Sequence, residues 1–231
     1  MPAGDDNPAS VGSAAMVALG TLHRAQTRWH RDYREACVGR PKAGEPELRR
    51  EIIAETALDI LDQEGLDALS LSRIARALNV QTSALYWYFE SKADLYEHLC
   101  ELIFRRVLGA LDPSLRGQDL LRAFGRAFRS TLRSVRDAAK LTSVGGVSES
   151  LRTELIPELL NRVTATGMSP LEARQALTAI EALALGWALF EGSANAAVGE
   201  VMRQTNDRHD SGFEHALEAL AYATFGSAPA G

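Results

Sequence analysis

Ser70-Leu-Ser-Arg-Ile-Ala-Arg-Ala-Leu-Asn-Val-Gln-Thr-Ser-Ala-Leu-Tyr-Trp-Tyr-Phe-Glu-Ser-Lys92 is the stretch on which the reading of this chain turns. Ser70 stands in N-cap position before a short helix, Leu71 to Leu78. Asn79-Val80-Gln81 makes a turn, and Thr82 to Phe89 predicts a second short helix. Two short helices joined by three residues, the second opening with small hydroxyl residues, fit a helix-turn-helix. Ile74, Ala75, Leu78, Val80 and Leu85 are spaced to pack the two together, with Ala75 small where they cross. That packing leaves Thr82, Ser83, Ala84, Tyr86, Trp87 and Tyr88 on the outer face. Hydroxyls there can bond base edges or phosphates, and the Ala84 methyl suits a thymine methyl. Tyr86, Tyr88 and Lys92 suit phosphates, as do the hydroxyl and amide groups of Ser70 and Ser72. A Tyr-Trp-Tyr-Phe cluster is equally at home in a core, so spacing alone leaves both readings open.

The punctuation on either side is helical. Ile53, Ala57, Ile60 and Leu61 form one stripe at a 3.6 period, ended by Gly65 as a left-handed C-cap. Ser91 caps a longer helix that Asp112-Pro113 and Gly117 stop. Gln118 to Arg136 carries Leu121, Phe124, Phe128, Leu132 and Val135 on one face, and Ser143-Val-Gly-Gly146 breaks the pattern. Leu151 to Ala165 resumes it with a split or kink at Pro157. Ser169-Pro170-Leu171-Glu172 is a start signal for a helix to about Phe190, and a last helix runs from about Phe213 to Phe225. No segment alternates as a strand does. The fold class is all-α: a three-helix helix-turn-helix domain at 45–92, then a second helical domain at 93–231. Residues 1–44 read as an extension, disordered or partly helical over Ala14 to Ala36.

The chain has 231 residues and a net charge of -5. The extension carries +2, residues 45–92 carry -4 and the remainder -3. Such a chain does not coat nucleic acid indiscriminately, so any contact comes from a local patch. The acidic helix before Gly65 is expected to face away from that patch. Two cysteines, Cys37 and Cys100, exclude a disulfide framework and a Cys-rich zinc module. The longest apolar run, Ala182 to Phe190, is far short of a membrane span, and no signal core opens the chain, so the expected compartment is the cytoplasm.

Residues 47–109 resemble the DNA-binding domain of the TetR family of bacterial transcriptional repressors. The matching words are Ala57-Leu-Asp-Ile-Leu, Gly65-Leu-Asp-Ala-Leu-Ser-Leu, Ile74-Ala-Arg-Ala-Leu-Asn-Val80, Ala84-Leu-Tyr-Trp-Tyr-Phe89 and Ser91-Lys-Ala-Asp-Leu95. The resemblance implies base contacts from Thr82, Ser83 and Ala84, and phosphate contacts from Tyr86, Tyr88, Lys92 and Ser72. It leaves Trp87 either on DNA or packed beneath the recognition helix.

The remainder resembles the tetracycline-repressor branch, at Phe128-Arg-Ser-Thr-Leu-Arg-Ser-Val-Arg-Asp137 with Ala-Ala-Lys-Leu141, and at Ala184-Leu-Gly-Trp-Ala-Leu-Phe-Glu191. That branch binds a metal-chelated antibiotic through a histidine and a glutamate. Glu191 matches the glutamate, but Thr142 stands where the histidine would be, and Leu108 and Phe124 fall near other polar anchors. The expectation is therefore a small hydrophobic effector and no metal or cofactor. Its expected lining is Leu108, Phe124, Phe128, Leu132, Leu141, Thr142, Val144, Leu160, Val163, Trp187, Phe190 and Glu191. Ala179, Leu183, Gly186, Phe213, Leu217, Leu220, Ala221 and Thr224 supply small and apolar surface for a homodimer, which would place two recognition helices on palindromic operator DNA.

Two other classes compete. An enzyme would use an apolar pocket with Glu191 as acid/base, yet the chain lacks a phosphate loop, a dinucleotide fingerprint and a nucleophile elbow. A protein-interaction adaptor is the other. His23, His30, His98, His209 and His215 have no metal-site spacing beyond a loose His209/His215 pair. The basic part of the extension, with Trp29 and Tyr33, is either a solvated arm or a reach toward flanking phosphates.

Overall fold

In the computed structural model of the chain, the described residues are 48–192 and 211–225. The expectations for residues 1–44, for His209 and for the Thr224 side chain fall outside them. From Arg49 onward the described residues belong to one compact unit, helical throughout and with no strand among them.

The unit opens with α1 (Arg50–Glu64), whose buried stripe is Ile53, Ala54, Ala57, Leu58, Ile60 and Leu61. Gly65 ends it, donating its N–H to Leu61 O at 2.9 Å. Its φ of +87° needs glycine, but ψ of 174° makes it extended rather than the left-handed cap expected. After a tight turn at Leu66–Ala68 comes α2 (Leu71–Ala77), where Ser70 Oγ accepts from the Arg73 N–H at 3.1 Å. Asn79 makes the inter-helix turn at φ 54°.

The second helix of the motif, α3, spans Thr82–Leu85 and is shorter than expected. After Leu85 the chain tightens into i→i−3 bonds, Trp87 to Ala84 and Tyr88 to Leu85, which deliver Phe89 into the core. There Phe89 lies beneath the Arg50 guanidinium, 4.6 Å from its ring centroid, and 5.6 Å from the His98 ring.

Ser91 Oγ accepts from the Asp94 N–H at 3.1 Å and starts α4 (Lys92–Gly109). This helix packs against α1 and also against the next two, so the helix-turn-helix and the helical bundle that follows share it. It stops at Gly109, ahead of the expected Asp112-Pro113. The next helix, α5 (Gly117–Ser134), is strongly amphipathic and buries Leu120, Leu121, Phe124, Phe128 and Leu132. Val135 lies beyond its end, and Asp137 sits in the left-handed region at φ 56°. A separate helix that the periodicity did not reveal, α6 (Ala138–Val144), follows.

Pro157 splits the next segment as expected: a wide π-type turn at Leu151–Leu155 runs into α7 (Ile156–Thr164). The capping box is formed at α8 (Pro170–Glu191): Ser169 Oγ accepts from the Glu172 N–H at 3.3 Å, and Glu172 Oε2 from the Ser169 N–H at 3.0 Å. The last element is α9 (Ser211–Phe225). Helix α8 lies across α5, and α9 packs on both. Gly125 permits that approach, because a Cβ there would lie 2.7 Å from Leu217 Cδ1 and 2.9 Å from Ile180 Cγ2.

Candidate nucleic-acid interface and sensor region

The aromatic word on the recognition segment divides by exposure. Leu85 and Phe89 are fully buried, whereas Tyr86 is 41% and Trp87 49% exposed. Trp87 therefore points out of the fold and not beneath its helix. Ser83 is exposed and Thr82, Ala84 and Tyr88 are half-buried on the same segment. Ser72 and Lys92 are exposed, and Lys92 Nζ stands 5.2 Å from the Tyr96 ring centroid. Ser70 is half-buried and its hydroxyl oxygen is engaged as the α2 cap. The Arg73 guanidinium turns back to Glu64, with Nε donating to Oε2 at 3.1 Å. That hydrogen bond, against a smaller opposing effect of burial, lowers the Glu64 carboxyl from its ordinary pKa. Part of the acid on α1 is thus neutralised beside the motif.

The segment is held in place from α4. Asp94 Oδ1 accepts from Arg50 Nη2 at 2.7 Å and Oδ2 from the Glu90 N–H at 2.8 Å. Burial, and then the Arg50 charge, push His98 below its ordinary pKa, which suits a neutral ring against Phe89.

A second tie runs from the bundle to the motif, and no local pattern pointed to it. Asp62 Oδ1 accepts from the Arg136 N–H at 2.9 Å, Gln63 O accepts from Arg136 Nη1 at 3.1 Å, and Asp137 Oδ2 accepts from the Leu66 N–H at 3.0 Å. Burial opposes ionisation of Asp137, but the Lys140 and Leu66 hydrogen bonds with the Lys140 and Arg136 charges outweigh it and hold its carboxyl below the ordinary range. Gly65 leaves room for this contact, since a Cβ there would meet Asp137 Oδ2 at 2.8 Å.

The expected effector-lining residues separate. Phe124, Phe128, Leu132, Leu141 and Val163 are buried, with the Phe124 and Phe128 rings stacked at 5.7 Å. Thr142 is half-buried and donates to Ala138 O at 2.9 Å. Leu108, Leu160 and Trp187 are half-buried, while Val144 is 62% and Phe190 48% exposed. A cleft of about 350 Å³ lies elsewhere, with Arg105, Leu108 and Leu111 on one side and Leu155, Leu159 and Arg162 on the other. Of the expected lining residues it shares Leu108. Glu191, matched to a metal-binding glutamate, is gripped instead by Arg129, whose Nε donates to Oε2 at 3.3 Å and whose Nη2 donates to Oε1. No metal-ligand cluster of His, Cys, Asp and Glu is found among the described residues.

Among the expected dimer residues, Ala179, Leu183, Gly186 and Leu220 are half-buried at the flanks of α8 and α9. Phe213, Leu217 and Ala221 instead serve the protomer's own core. Leu217 meets α5 at Gly125, Phe213 meets Arg129 and Trp187, and Ala221 O accepts from Gln118 Nε2 at 2.9 Å. The outward positions of α9 are His215, Ala219, Tyr222 and Ala223, with Tyr222 73% exposed. Among the described residues no helix is long and apolar enough to cross a membrane.

Comparison with known proteins agrees with this layout. Residues 53–99, which include the helix-turn-helix and the start of α4, match the family model described as bacterial regulatory proteins, tetR family. The class C tetracycline repressor of Escherichia coli is 32% identical over 157 residues, 66% of this chain and 70% of that protein. Among solved structures, Mycobacterium smegmatis BioQ is 27% identical with a TM-score of 0.60, covering 77% of this chain and 98% of its own. A single-residue variant of TetR from Acinetobacter baumannii AYE, crystallised in complex with minocycline, is 25% identical with a TM-score of 0.63, covering 76% of this chain and 92% of its own. The chain belongs to the TetR family of bacterial transcriptional regulators.

Proposed function

We propose that this chain is a ligand-responsive repressor, which binds palindromic operator DNA as a homodimer and is released from it by a small effector. The observation that carries the reading is the division of the recognition segment, with Leu85 and Phe89 sunk in the core and Ser83, Tyr86 and Trp87 exposed. Residues 45–92 act as the reading domain and 93–231 as the sensor and dimerisation domain. Thr82, Ser83 and Ala84 read base edges, while Ser72, Tyr86, Tyr88 and Lys92 hold phosphates, with Ser70 and Trp87 beside them. The relatives support repression by their names, and one structural neighbour holds a small molecule, minocycline.

The sensor takes a ligand without a metal or cofactor. Ligand binding favours a state in which α4 and the Arg136–Asp137 tie hold the reading helices at a different separation, and DNA then weakens ligand binding by the same factor. The effector has an apolar body, in keeping with Phe128, Trp187 and Phe190. The homodimer uses the outer faces of α8 and α9, and the compartment is the cytoplasm. An enzymatic role for Glu191 is disfavoured by its pairing with Arg129.

A duplex selected from a random pool by the full chain, compared with its scrambled form in a gel shift, tests the reading. Selective retardation of the chosen duplex, with a shift corresponding to two protomers, is expected. Equal retardation of both duplexes, or none, would remove it.

A further inference from the structure

Among the described residues the buried charged side chains are Glu101 and Arg129. Glu101 is matched locally, by Arg105 one turn away and by Ser148 Oγ at 2.7 Å. Arg129 is different. It stands on α5, its side chain 5% exposed, and its guanidinium lies 4.5 Å from the Phe213 ring centroid. Its carboxylate partner, Glu191, comes from the last residue of α8. A carboxylate at a helix C-terminus sits at the negative end of the dipole, an unfavourable place for it. Gly192 follows at the helix end, and the Glu191 side chain is 16% exposed, so it has a way out to solvent.

A second observation points to the same place. Trp187 Nε1 is buried and has no hydrogen-bond partner among the described residues. Buried indole N–H groups ordinarily find an acceptor. Trp187 lies one turn before Glu191 on α8, and its ring meets Phe213 edge-on at 5.9 Å. A guanidinium and the ring that carries this indole N–H therefore border the same aromatic ring.

We propose that Arg129 is an anion-binding group of the sensor and that its ligand is an aromatic or otherwise apolar carboxylate. The ligand's carboxylate replaces Glu191 on the guanidinium and accepts from Trp187 Nε1, and its body lies along Trp187 and Phe190. A planar guanidinium suits such a bidentate exchange. A metal chelate is disfavoured at the same point, because Arg129 already sets a positive charge against Glu191. Release of Glu191 from Arg129 loosens the end of α8 on α5, where the exposed Arg133 Nε stands 3.5 Å from Glu191 Oε2, and α5 leads to Arg136 and Asp137 and so to the reading domain. The inference rests on the sensor reading above and adds the chemical class of its ligand.

Isothermal titration calorimetry on the full chain with 2-naphthoate and its neutral analogue 2-naphthamide tests it. The acid is expected to bind at least about tenfold more tightly than the amide. E191Q removes the competing carboxylate, so it should tighten the acid by about tenfold and leave the amide within about twofold. W187F keeps the fold and removes the N–H, and should weaken the acid by about threefold to tenfold. R129K keeps the charge without the fork and should lose most of the preference for the acid, with circular dichroism checking that it folds. An amide that binds as well as the acid overturns the proposal, as does E191Q weakening the acid or failing to tighten it. So does absence of acid binding to both wild type and E191Q. The sensor reading is judged apart from this: a neutral apolar compound that releases operator DNA would sustain it while removing the carboxylate.

Discussion

Replacing Asp137 by alanine cuts the tie between the sensor helices and the turn that follows α1, and three local effects set its size. Asp137 occupies the left-handed region, where an alanine is disfavoured by about 1 kcal/mol or slightly more. The Leu66 N–H, bonded to the carboxylate at 3.0 Å and part-buried, loses a charged acceptor, which costs about 1–3 kcal/mol. The Lys140 pair at 2.7 Å has an exposed lysine and contributes at most about 1 kcal/mol. D137A should therefore lose about 2–5 kcal/mol in urea unfolding of the full chain at pH 7. D137N tolerates the same backbone and keeps a carbonyl acceptor, so it should lose about 1 kcal/mol. The native carboxyl is held below its ordinary pKa, so its advantage over asparagine is present above about pH 4 and disappears as pH falls through the depressed value. Operator affinity of D137A should fall with the loss of the tie. A D137A variant within about 0.5 kcal/mol of wild type, or D137N as damaging as D137A, would refute the reasoning.

G125A gains helix propensity but drives a Cβ into Leu217 and Ile180, and should lose about 1–2 kcal/mol in denaturant unfolding. S70A removes the α2 cap and should lose about 1 kcal/mol, with weaker operator binding in a gel shift at a temperature where it remains folded. Burial pushes the half-buried Glu181 up to about 7. Its neutral form is favoured in the fold, so wild type should lose stability as pH rises from about 4.5 to about 7, and E181Q should be more stable by about 1–3 kcal/mol at pH 8 and equal below about pH 4. Thermal unfolding of both proteins across that range checks it.

The start signals were legible because each is local: Ser70, Ser91 and Ser169 all cap the helices they precede. The helix-turn-helix was legible because its core positions and turn fall within one short stretch. The recognition helix is shorter than its pattern because Phe89 must enter a core whose other walls, Arg50 and His98, lie outside that stretch. Helix α6 escaped because Asp137-Ala-Ala-Lys140 carries no glycine or proline to mark the break that φ of Asp137 makes. In α9 an apolar pattern on nearly every face hid which side is core, so Phe213, Leu217 and Ala221 read as surface for a partner. Arg129 was hidden for a similar reason. Its counter-charge is 62 residues away, and an arginine beside Phe128 looks in sequence like the polar edge of an amphipathic helix.

The central claim is that the outer face of the segment from Thr82 lies in the major groove, presented twice by a symmetric pair. Dimethyl sulfate footprinting reads guanine N7 on the floor of that groove. The full chain on its selected duplex should protect two patches centred about one helical turn apart, or a multiple of it, and T82A with Y86A should abolish both. A single protected patch, or protection unchanged in that double variant, would contradict the account.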